Sequence, residues 1–457
     1  MTMNTYKNFI SGSTLLLSLW ASATLGAVSA QEASALGESL TPVGAEKAGN
    51  ADGSIPAWTG GLGKDAGTVD GSGFMTDPYA SDQPLFTITA ENAEQYRDKL
   101  SEGQLAMFKR YPQSFRMAIY PTRRSASFPD NWLEKTKENA TTVTLSGGGN
   151  TLEHYEMGVP FPIAKNGLEA IWNHNARYMG STLQRHIITA APQANGQFTP
   201  SLLDQYVAMQ WALSDAATAK NPNVMFYYKW RTLAPARLAG DVFLVHETLD
   251  QVKEPRMAWV YNAGQRRVRR APQISYDGPA TTGDGQHTSD NYMMYNGAPD
   301  RYDWKLVGKQ EMYVPYNAYR LDDPKLKYTD IVKAGHLNSD YTRYELHRVW
   351  VVEANLKEGQ RHIYAKRRLY LDEDTWQALI VDHYDSRGQI WRISEGHMQQ
   401  VYQQQLPLVF VETCYDLING RYLVAGLRNE ITNAPKYGIE LSSSDFTPAA
   451  LRRSGVR

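Results

Sequence analysis

The fold is decided by residues 343–399, RYELHRVWVVEANLKEGQRHIYAKRRLYLDEDTWQALIVDHYDSRGQIWRISEGHMQ. This stretch contains four runs rich in β-branched and aromatic residues, which favour strands, and short polar turns separate the runs. The runs cover residues 343–354, 361–371, 376–384 and 389–399. Because turns this short make successive strands neighbours, the stretch predicts a meander of long antiparallel strands.

Both faces of this predicted meander are of mixed polarity. Side chains alternate along a strand, so the first run places Tyr344, Leu346 and Trp350 on one face and Glu345 and His347 on the other. Such a sheet can cover a core on one side and line a groove for an amphiphilic ligand on the other. The alternative is that its tyrosines and arginines only cover solvent-exposed surface. Under the first interpretation the candidate cargo-lining residues are Tyr344, Leu346, Trp350, Val352, Tyr364, Tyr370, Trp376, Ile380 and Trp391.

The rest of the chain divides into a helical part and a longer strand-rich part. Apolar residues at helical spacing predict helices over residues 91–109, 129–139 and 165–178. Alternating patterns predict strands over residues 182–190, 203–213, 224–233, 241–249, 257–261 and 303–313. A polar interval at 276–301 is predicted to cross from one part of the sheet to another. Asn419 and Gly420, between two apolar runs, predict a tight hairpin turn.

These patterns predict one large α+β domain behind an extended segment. Residues 31–82 are dominated by Gly, Ala, Pro, Asp and Ser, and we expect them to form extended loop. Residues 83–457 are predicted to form a single domain, with helices in residues 83–180 and a large, strongly curved antiparallel sheet in residues 181–440.

The N-terminus has the pattern of a secretory signal peptide. Lys7 precedes an uncharged, Leu-rich run over residues 9–27, and small residues follow it. Val28 and Ala30 suit a signal peptidase, so residues 1–30 are predicted to be removed by cleavage after Ala30. We therefore expect the mature protein to be secreted.

Composition and charge exclude several classes of protein. The chain has 47 Lys and Arg against 48 Asp and Glu, so its overall charge gives no reason to expect a nucleic-acid partner. The basic cluster at residues 266–270 is short and is typical of a solvated hairpin. Cys414 is the only cysteine, so neither an intramolecular disulfide nor a thiolate zinc cluster can form.

No catalytic, cofactor-binding or metal-ligating residue is predicted. His383 and His397 lie on neighbouring predicted strands, but no carboxylate stands at a defined spacing from them. Cys414 lies in a predicted strand close to Glu412 and Asp416, and is expected to be a small core residue. The chain has no Gly-x-Ser-x-Gly motif and no phosphate-binding loop. Paired carboxylates of the kind used by glycoside hydrolases cannot be recognised from one sequence, so a hydrolase stays an alternative.

Several long motifs carry a resemblance to a known family. They are TPVGAEKAGNADGSIPAWTGG at residues 41–61, VPFPI at 159–163, GLEAIWNH at 167–174, NGAPDRYDW at 296–304 and YELHRVWVVE at 344–353. With these motifs the chain closely resembles the proteobacterial family catalogued as domain of unknown function 1329. The resemblance covers essentially the whole chain after the predicted signal peptide. The family has no established catalytic residues.

The resemblance implies a fold and a cellular setting. The family is described as similar to the periplasmic lipoprotein carriers LolA and LolB, which implies an incomplete antiparallel β-barrel with helices plugging its open side. Its members are implied to work with a resistance-nodulation-division exporter of the MMPL type and an outer-membrane barrel partner. This chain is about twice as long as one LolA-like module and has no lipobox Cys like that of LolB, which implies an extended sheet and a soluble shuttle.

The expected function is that of a periplasmic carrier without a cofactor. It would hold a lipid, a lipoprotein acyl chain or another hydrophobic cargo in a half-barrel cavity, for export or for outer-membrane biogenesis. A non-enzymatic structural adaptor of an export complex is the first alternative, and an envelope hydrolase is the second.

Overall fold

The structure is a computed structural model that describes residue 1 and residues 25–218, 221, 223–271, 276–280 and 283–455. Among these residues, sixteen strands form one large curved sheet that does not close on itself, and three short strands form a second sheet. Helices pack on both faces of the large sheet. The predicted α+β class with an open, mostly antiparallel sheet is therefore confirmed.

The strands and helices follow one another along the chain with these bounds. The strands are β1 Leu25–Gly26, β2 Phe86–Ile88, β3 Met117–Tyr120, β4 Thr144–Ser146, β5 Thr151–Glu153, β6 Thr182–Ala190, β7 Ser201–Met209, β8 Val224–Ala234, β9 Val242–Thr248, β10 Met257–Asn262, β11 Arg267–Arg270, β12 Tyr302–Pro315, β13 Tyr344–Leu356, β14 Lys366–Asp372, β15 Ala378–Tyr384, β16 Ile390–Val401, β17 Leu406–Asp416, β18 Tyr422–Leu427 and β19 Lys436–Tyr437. The helices are α1 Ala30–Ala33, α2 Glu102–Arg110, α3 Asp130–Thr142, α4 Gly167–Asn175, α5 Tyr328–Ile331 and α6 Pro448–Gly455.

The order of strands in the large sheet is β11-β10-β9-β8-β7-β6-β18-β17-β16-β15-β14-β13-β3-β2. In addition, β12 pairs with β13 and β19 pairs with β6. Neighbours are antiparallel except for β13 and β3, which are parallel. The predicted meander is present as β13 to β16, and its short turns make consecutive strands neighbours. The sheet thus has two halves, the meander with β12 and the strands β6 to β11, which β17 and β18 join.

Both faces of the meander are buried, which explains its mixed polarity. On one face α2 packs against a core that includes Met107, Phe108, Tyr370 and Ile380. On the other face α3 and α4 pack against Val352, Leu369, Val381 and their neighbours. Every residue of β15 is buried as a result. The first face continues across β8 to β10, where α6 covers it. We call it the outer face, and the face under α3 and α4 the inner face.

Residues 286–301 lie across the inner face and are called the covering segment. Asn291 donates to Ser394 of β16 at 3.1 Å, and the amide of Met294 donates to Glu412 of β17 at 3.3 Å. The polar interval that contains this segment connects β11 to β12, as predicted. On its way between these two strands, the segment packs on the inner face of the sheet. Its polar residues face buried partners and not solvent.

The hairpin predicted around Asn419 and Gly420 is present, since β17 and β18 are antiparallel neighbours, but its turn differs from the predicted tight turn. β17 ends at Asp416 and β18 begins at Tyr422, so the connection is longer than a two-residue turn. The Asp416 carboxylate accepts hydrogen bonds from the amides of Ile418 and Asn419, both at 3.0 Å. This carboxylate starts the turn earlier, and only Gly420 in it has a positive φ, 73°.

Two further predictions differ from the structure at their edges. The second meander strand begins at Lys366 and not at Arg361, because residues 361–364 do not pair with the neighbouring strands. Four short strands, β2 to β5, lie within residues 83–180, where helices were expected. Two of them, β2 and β3, extend the large sheet beyond β13.

The predicted signal peptide lies mostly at residues 2–24, outside the described residues. Of its last residues, Val28 is buried against Ala140 of α3, and Ser29 caps α1 by accepting a hydrogen bond from Glu32. None of the helices described is long and apolar enough to cross a membrane.

Two buried carboxyls of the meander anchor the start of α2. Ser101 and Gln104 form a capping box, and the hydroxyl of Ser101 also donates to Asp382 at 3.0 Å. The side chain of Gln104 reaches Glu395 at 3.4 Å, and Tyr344 donates to the same carboxyl at 3.0 Å. Burial raises the pKa of both Asp382 and Glu395 to about 7, although the hydrogen bonds oppose the change.

We expect the substitution Asp382→Asn to change the pH dependence of stability. The raised pKa lets the folded protein hold a proton that the unfolded chain releases near pH 4, so this group stabilises the fold at low pH. That contribution is lost as the pH rises through about 7. Asparagine keeps an acceptor for Ser101 but cannot titrate. Between about pH 4 and 7 the variant should lose up to about 1.4 kcal/mol per pH unit of the wild-type slope.

Urea unfolding at a series of pH values measures this slope. Asp303→Asn, on the exposed part of β12, is the matched control and should keep the wild-type slope. An Asp382→Asn slope equal to that of the wild type would contradict the assignment.

Candidate functional site

A cavity of about 80 Å³ lies on the inner face, between the half-sheet β6 to β9 and the strands β17 and β18. The covering segment closes it from above through His287, Ser289, Tyr292, Met293 and Asn296. The side chains that line it from the sheet are Arg185, Ile187, Thr189, Leu203, Gln205, Phe226, Tyr228, Trp230, Phe243, Val245, Glu247, Val409, Phe410, Glu412, Leu423 and Ala425.

Strand alternation explains why these residues share one face. The cavity receives every second residue of β6, from Arg185 to Thr189, and every second residue of β8, from Phe226 to Trp230. The intervening residues of β8 face the other way, where Tyr227 stacks on Phe446 before α6 at 5.0 Å. The register of the ladders therefore brings residues from six strands to one site.

The floor of the cavity is mainly aromatic and aliphatic. The ring of Trp230 lies 4.2 Å from that of Phe243 and 5.2 Å from that of Tyr228. Tyr292 of the covering segment approaches Trp230 at 6.3 Å. Ile187 and Leu203 belong to the same cluster. This surface suits hydrocarbon, and its few polar groups stand at the sides.

A buried ion pair fixes the covering segment to the meander. The carboxylate of Asp290 accepts from Arg367 of β14 at 2.7 Å and lies 3.0 Å from His362. Arg367 is fully buried among the rings of Tyr295, Tyr302 and Tyr364, each 5.2 Å from its guanidinium carbon. Burial alone would raise the pKa of Asp290, but Arg367 and His362 outweigh it and hold the pKa well below its usual range.

A second buried ion pair holds the segment at the cavity wall. Arg256 makes a bidentate pair with Glu247, and it also donates to the carbonyl of Ser289 at 3.1 Å and to that of Asn296. From α4, His174 Nε2 lies 3.0 Å from the carbonyl of Tyr295. The covering segment is thus attached through polar and charged groups and through Met294 and Tyr295, which pack in the core under α3 and α4, while Tyr292 and Met293 face the cavity.

An outer cavity of about 270 Å³ adjoins the first one. Arg185, Phe410 and Gly426 line both, so they form the boundary between the two. The outer cavity is more polar, with Asp70 and Arg428 among its walls. Together the two spaces offer an apolar inner part and a polar outer part.

The lining residues do not form a catalytic arrangement. Ser289 donates to the carbonyl of Gly278 at 2.9 Å, and no hydrogen bond joins it to His287 in the described part of the chain. Burial lowers the pKa of His287 to about 4. Glu247 is neutralised by Arg256. Cys414 is buried in β17, and burial raises the pKa of its thiol. The site can bind and enclose a molecule.

One group of side chains outside the cavity could hold a metal ion. Ligand atoms of His347, Asp372 and Asp374 all lie within 4.8 Å of one another, and the three residues are buried. However, Arg124 already binds both oxygens of Asp374, at 2.7 and 2.8 Å, and Glu345 accepts from His347 at 3.1 Å. Sequence reasoning missed this group because the histidine is far from the two acids in the chain: β13 carries His347, β14 ends at Asp372 and the turn after β14 carries Asp374.

None of the nine predicted cargo-lining residues is among those that line the two cavities. Four of them, Tyr344, Leu346, Tyr370 and Ile380, belong to the core under α2 on the outer face. Three others, Trp350, Val352 and Trp376, belong to the core under α3 and α4. Tyr364 accepts from Arg392 at 3.0 Å, and Trp391 donates to Asp416 at 3.1 Å. That these nine residues contact a cargo stays a prediction.

Comparison with known proteins shows the family of this chain. A family model described as "Protein of unknown function (DUF1329)" matches residues 87–452. The chain belongs to this family. An uncharacterized protein of Pseudomonas aeruginosa is 60% identical over 455 residues, which cover 100% of both chains. Membership of the DUF1329 family, predicted from the sequence motifs, is thus confirmed.

Solved structures similar to this DUF1329 protein are remote in sequence. A putative outer membrane lipoprotein-sorting protein domain from Vibrio parahaemolyticus has a TM-score of 0.44 and 14% identity, over 63% of this chain and 98% of that one. A DUF1329 family protein from Desulfovibrio piger has a TM-score of 0.41 and 15% identity, over 60% and 92%. A LolA superfamily protein from Nitrosomonas europaea has a TM-score of 0.38 and 12% identity, over 62% and 98%.

We expect Asp290→Asn to loosen the covering segment. The substitution leaves the fully buried Arg367 without its carboxylate, which should lower the free energy of unfolding by about 3 to 5 kcal/mol. Hydrogen exchange should accelerate in residues 286–296, and urea unfolding measures the loss of stability.

The double variant Asp290→Asn, Arg367→Met should lose less stability than the two single variants together, because it removes both charges. Asp385→Asn breaks the surface pair with Arg387 and is the control, with an expected loss of stability much smaller than that of Asp290→Asn. Unchanged hydrogen exchange of residues 286–296 in the Asp290→Asn variant would refute the role of this ion pair in holding the covering segment.

Proposed function

We propose that this protein is a carrier that encloses a hydrophobic or amphiphilic molecule between the half-sheet β6 to β9 and the covering segment. The observation that carries the proposal is the contrast between the two surfaces at this site. The cavity floor is apolar and aromatic, around Trp230 and Phe243, whereas the segment above it is attached by the polar contacts of Asp290 and by Arg256. The moving part on this proposal is residues 286–293, because Met294 and Tyr295 pack in the core under α3 and α4.

Under this proposal, the structure represents the closed form, in which the covering segment lies over the cavity. Ligand pockets usually have volumes of about 300 to 1,000 Å³, so a cavity of about 80 Å³ is too small for a lipid. Binding therefore requires the covering segment to move away from the sheet. A cargo that buries about 300 Å² of apolar surface would gain about 7 kcal/mol, which is enough to offset several lost polar contacts.

The proposal rests on this cavity and on no similar structure, since the TM-scores are too low to transfer a function. The exporter of the MMPL type and the outer-membrane barrel partner stay predictions of the sequence resemblance. The proposed cargo is a lipid, a lipoprotein acyl chain or another hydrophobic molecule.

We also propose that the chain is exported to the periplasm with cleavage after Ala30. The uncharged run at residues 9–27 and the small residues Val28 and Ala30 support this. Intact-mass measurement of the protein recovered from the periplasm should give a chain that begins at Gln31. A protein recovered with Met1 still attached would contradict cleavage.

Cargo binding is expected to respond to the volume of the inner cavity. Leu203→Phe adds bulk in the cavity and should weaken the binding of a fluorescent fatty acyl probe at least about tenfold. Leu202→Phe is the matched control, because this neighbouring leucine of β7 points to the outer face and should leave binding unchanged.

Native mass spectrometry of the purified protein, followed by organic extraction, identifies a co-purifying molecule. The absence of any extracted lipid, together with no binding of the acyl probe, would overturn the carrier function. Cross-linking in cells that placed a partner protein on the cavity face without a cargo would favour the structural adaptor instead.

A further inference from the structure

We infer that the cargo carries an acidic head group, a carboxylate or a phosphate, and that Arg185 recognises it. This inference rests on the proposed carrier function and names the chemical class of its ligand. It follows from the surroundings of Arg185, which differ from those of the other arginines on the inner face.

Arg185 stands where the two cavities meet. It lies in β6, and alternation turns its side chain to the same face as Ile187. It lines both the apolar inner cavity and the polar outer cavity. A ligand with its chain in the inner space would place its head group beside this guanidinium.

The guanidinium of Arg185 is largely unused. Its Nε donates to Gln205 at 2.6 Å, and Gln205 in turn donates to the hydroxyl of Tyr228. This bond uses one of five N–H donors. Within the described ranges, no carboxylate lies within 4.0 Å of it. The bond to Gln205 orients the side chain and leaves its two terminal nitrogens for another acceptor.

Four other buried arginines are paired with an acid, and Arg177 on the inner face, which has no acid within 4.0 Å among the described residues, donates to the carbonyls of His174 and Met293. The pairs are Arg256 with Glu247, Arg367 with Asp290, Arg392 with Asp416 and Arg428 with Asp322. An unpaired charge in a partly buried, apolar site is unfavourable, and burial lowers the pKa of Arg185. The protein retains a cation here without an internal partner, as expected if an external anion completes the pair.

The planar guanidinium favours an acid with two oxygens. Carboxylates and phosphates accept two parallel hydrogen bonds from arginine, which gives both strength and orientation. Glu412 also lines the inner cavity, and its carboxylate could compete with a bound acid for Arg185. Burial raises its pKa to about 7, although Arg177 and Arg185 oppose the change, and no Glu412 oxygen lies within 4.0 Å of a nitrogen of the Arg185 guanidinium.

The space on both sides of Arg185 fits an amphiphile. Ile187, Leu203 and Trp230 offer an apolar wall to a hydrocarbon chain. The outer cavity, of about 270 Å³, offers Arg428 and the amide side chains of Gln403 and Gln404 to a polar head. A free phosphate or acetate ion would use only the second of these surfaces and should bind weakly.

Three ligands with the same chain and different head groups test this inference. Dodecanoic acid, dodecyl phosphate and 1-dodecanol are each used to displace a fluorescent acyl probe from the full-length protein at mildly alkaline pH. The wild type should bind the better of the two acids at least about tenfold more tightly than the alcohol. The tighter acid of the two identifies the head group as carboxylate or phosphate.

Substitutions of Arg185 then separate charge from shape. Arg185→Met should remove the preference for the acid and leave the affinity for the alcohol within about twofold, whereas Arg185→Lys should keep part of the preference. Arg269→Gln, on the exposed strand β11, is the control and should behave as the wild type. Circular dichroism and thermal unfolding show that each variant is folded.

Two results would overturn the inference without touching the carrier function. These are equal binding of acid and alcohol by the wild type, and an unchanged preference in Arg185→Met. If no dodecyl compound displaces the probe and the probe itself does not bind, the inference and the proposed function both fail.

Discussion

The ion pair between Asp290 and Arg367 is the contact that holds the covering segment over the inner face of the sheet. It joins the covering segment to the middle of the meander, across the inner face, and it is buried among three tyrosine rings. His362 and Thr288 supply further partners for Asp290, whereas Nε and Nη1 of Arg367 have no hydrogen-bond partner among the described residues and lie beside the tyrosine rings. A pair of this kind contributes position more than net stability. It determines where the segment lies, and hence where the cavity ends.

The two halves of the sheet have different tasks because of this arrangement. The meander is packed on both faces, with α2 on one side and α3 and α4 on the other, so it forms a rigid support. The half-sheet from β6 to β9 has α6 on its outer face, but on its inner face it meets the covering segment through an incompletely filled space. The empty volume thus lies next to the segment whose movement the carrier proposal requires. A carrier needs this combination, because its cargo must both reach an apolar surface and be shielded on it.

The sequence predicted the elements well and the site poorly, for one physical reason. Period-two patterns of β-branched and aromatic residues predicted β6 to the residue and the meander closely, and capped amphipathic patterns predicted α3 and α4. The cavity could not be predicted, because strands buried on both faces, such as β15, give no sign of which face is empty. The covering segment has no periodicity, and the partner of Asp290 lies 77 residues away in the chain. The turn at Asn419 was wrong because a side chain, Asp416, and not the dipeptide, begins it.

The edge strand of the half-sheet, β11, affects whether this open sheet associates with other copies of the protein. It pairs with β10, and its three arginines, Arg267, Arg269 and Arg270, are exposed. An unpaired strand border offers free N–H and C=O groups to any other strand, including that of a second copy. Two copies that approached border to border would bring six cations together, and this repulsion discourages polymerisation. The charge on one short strand therefore protects the open sheet, which a closed barrel would protect by leaving no border at all.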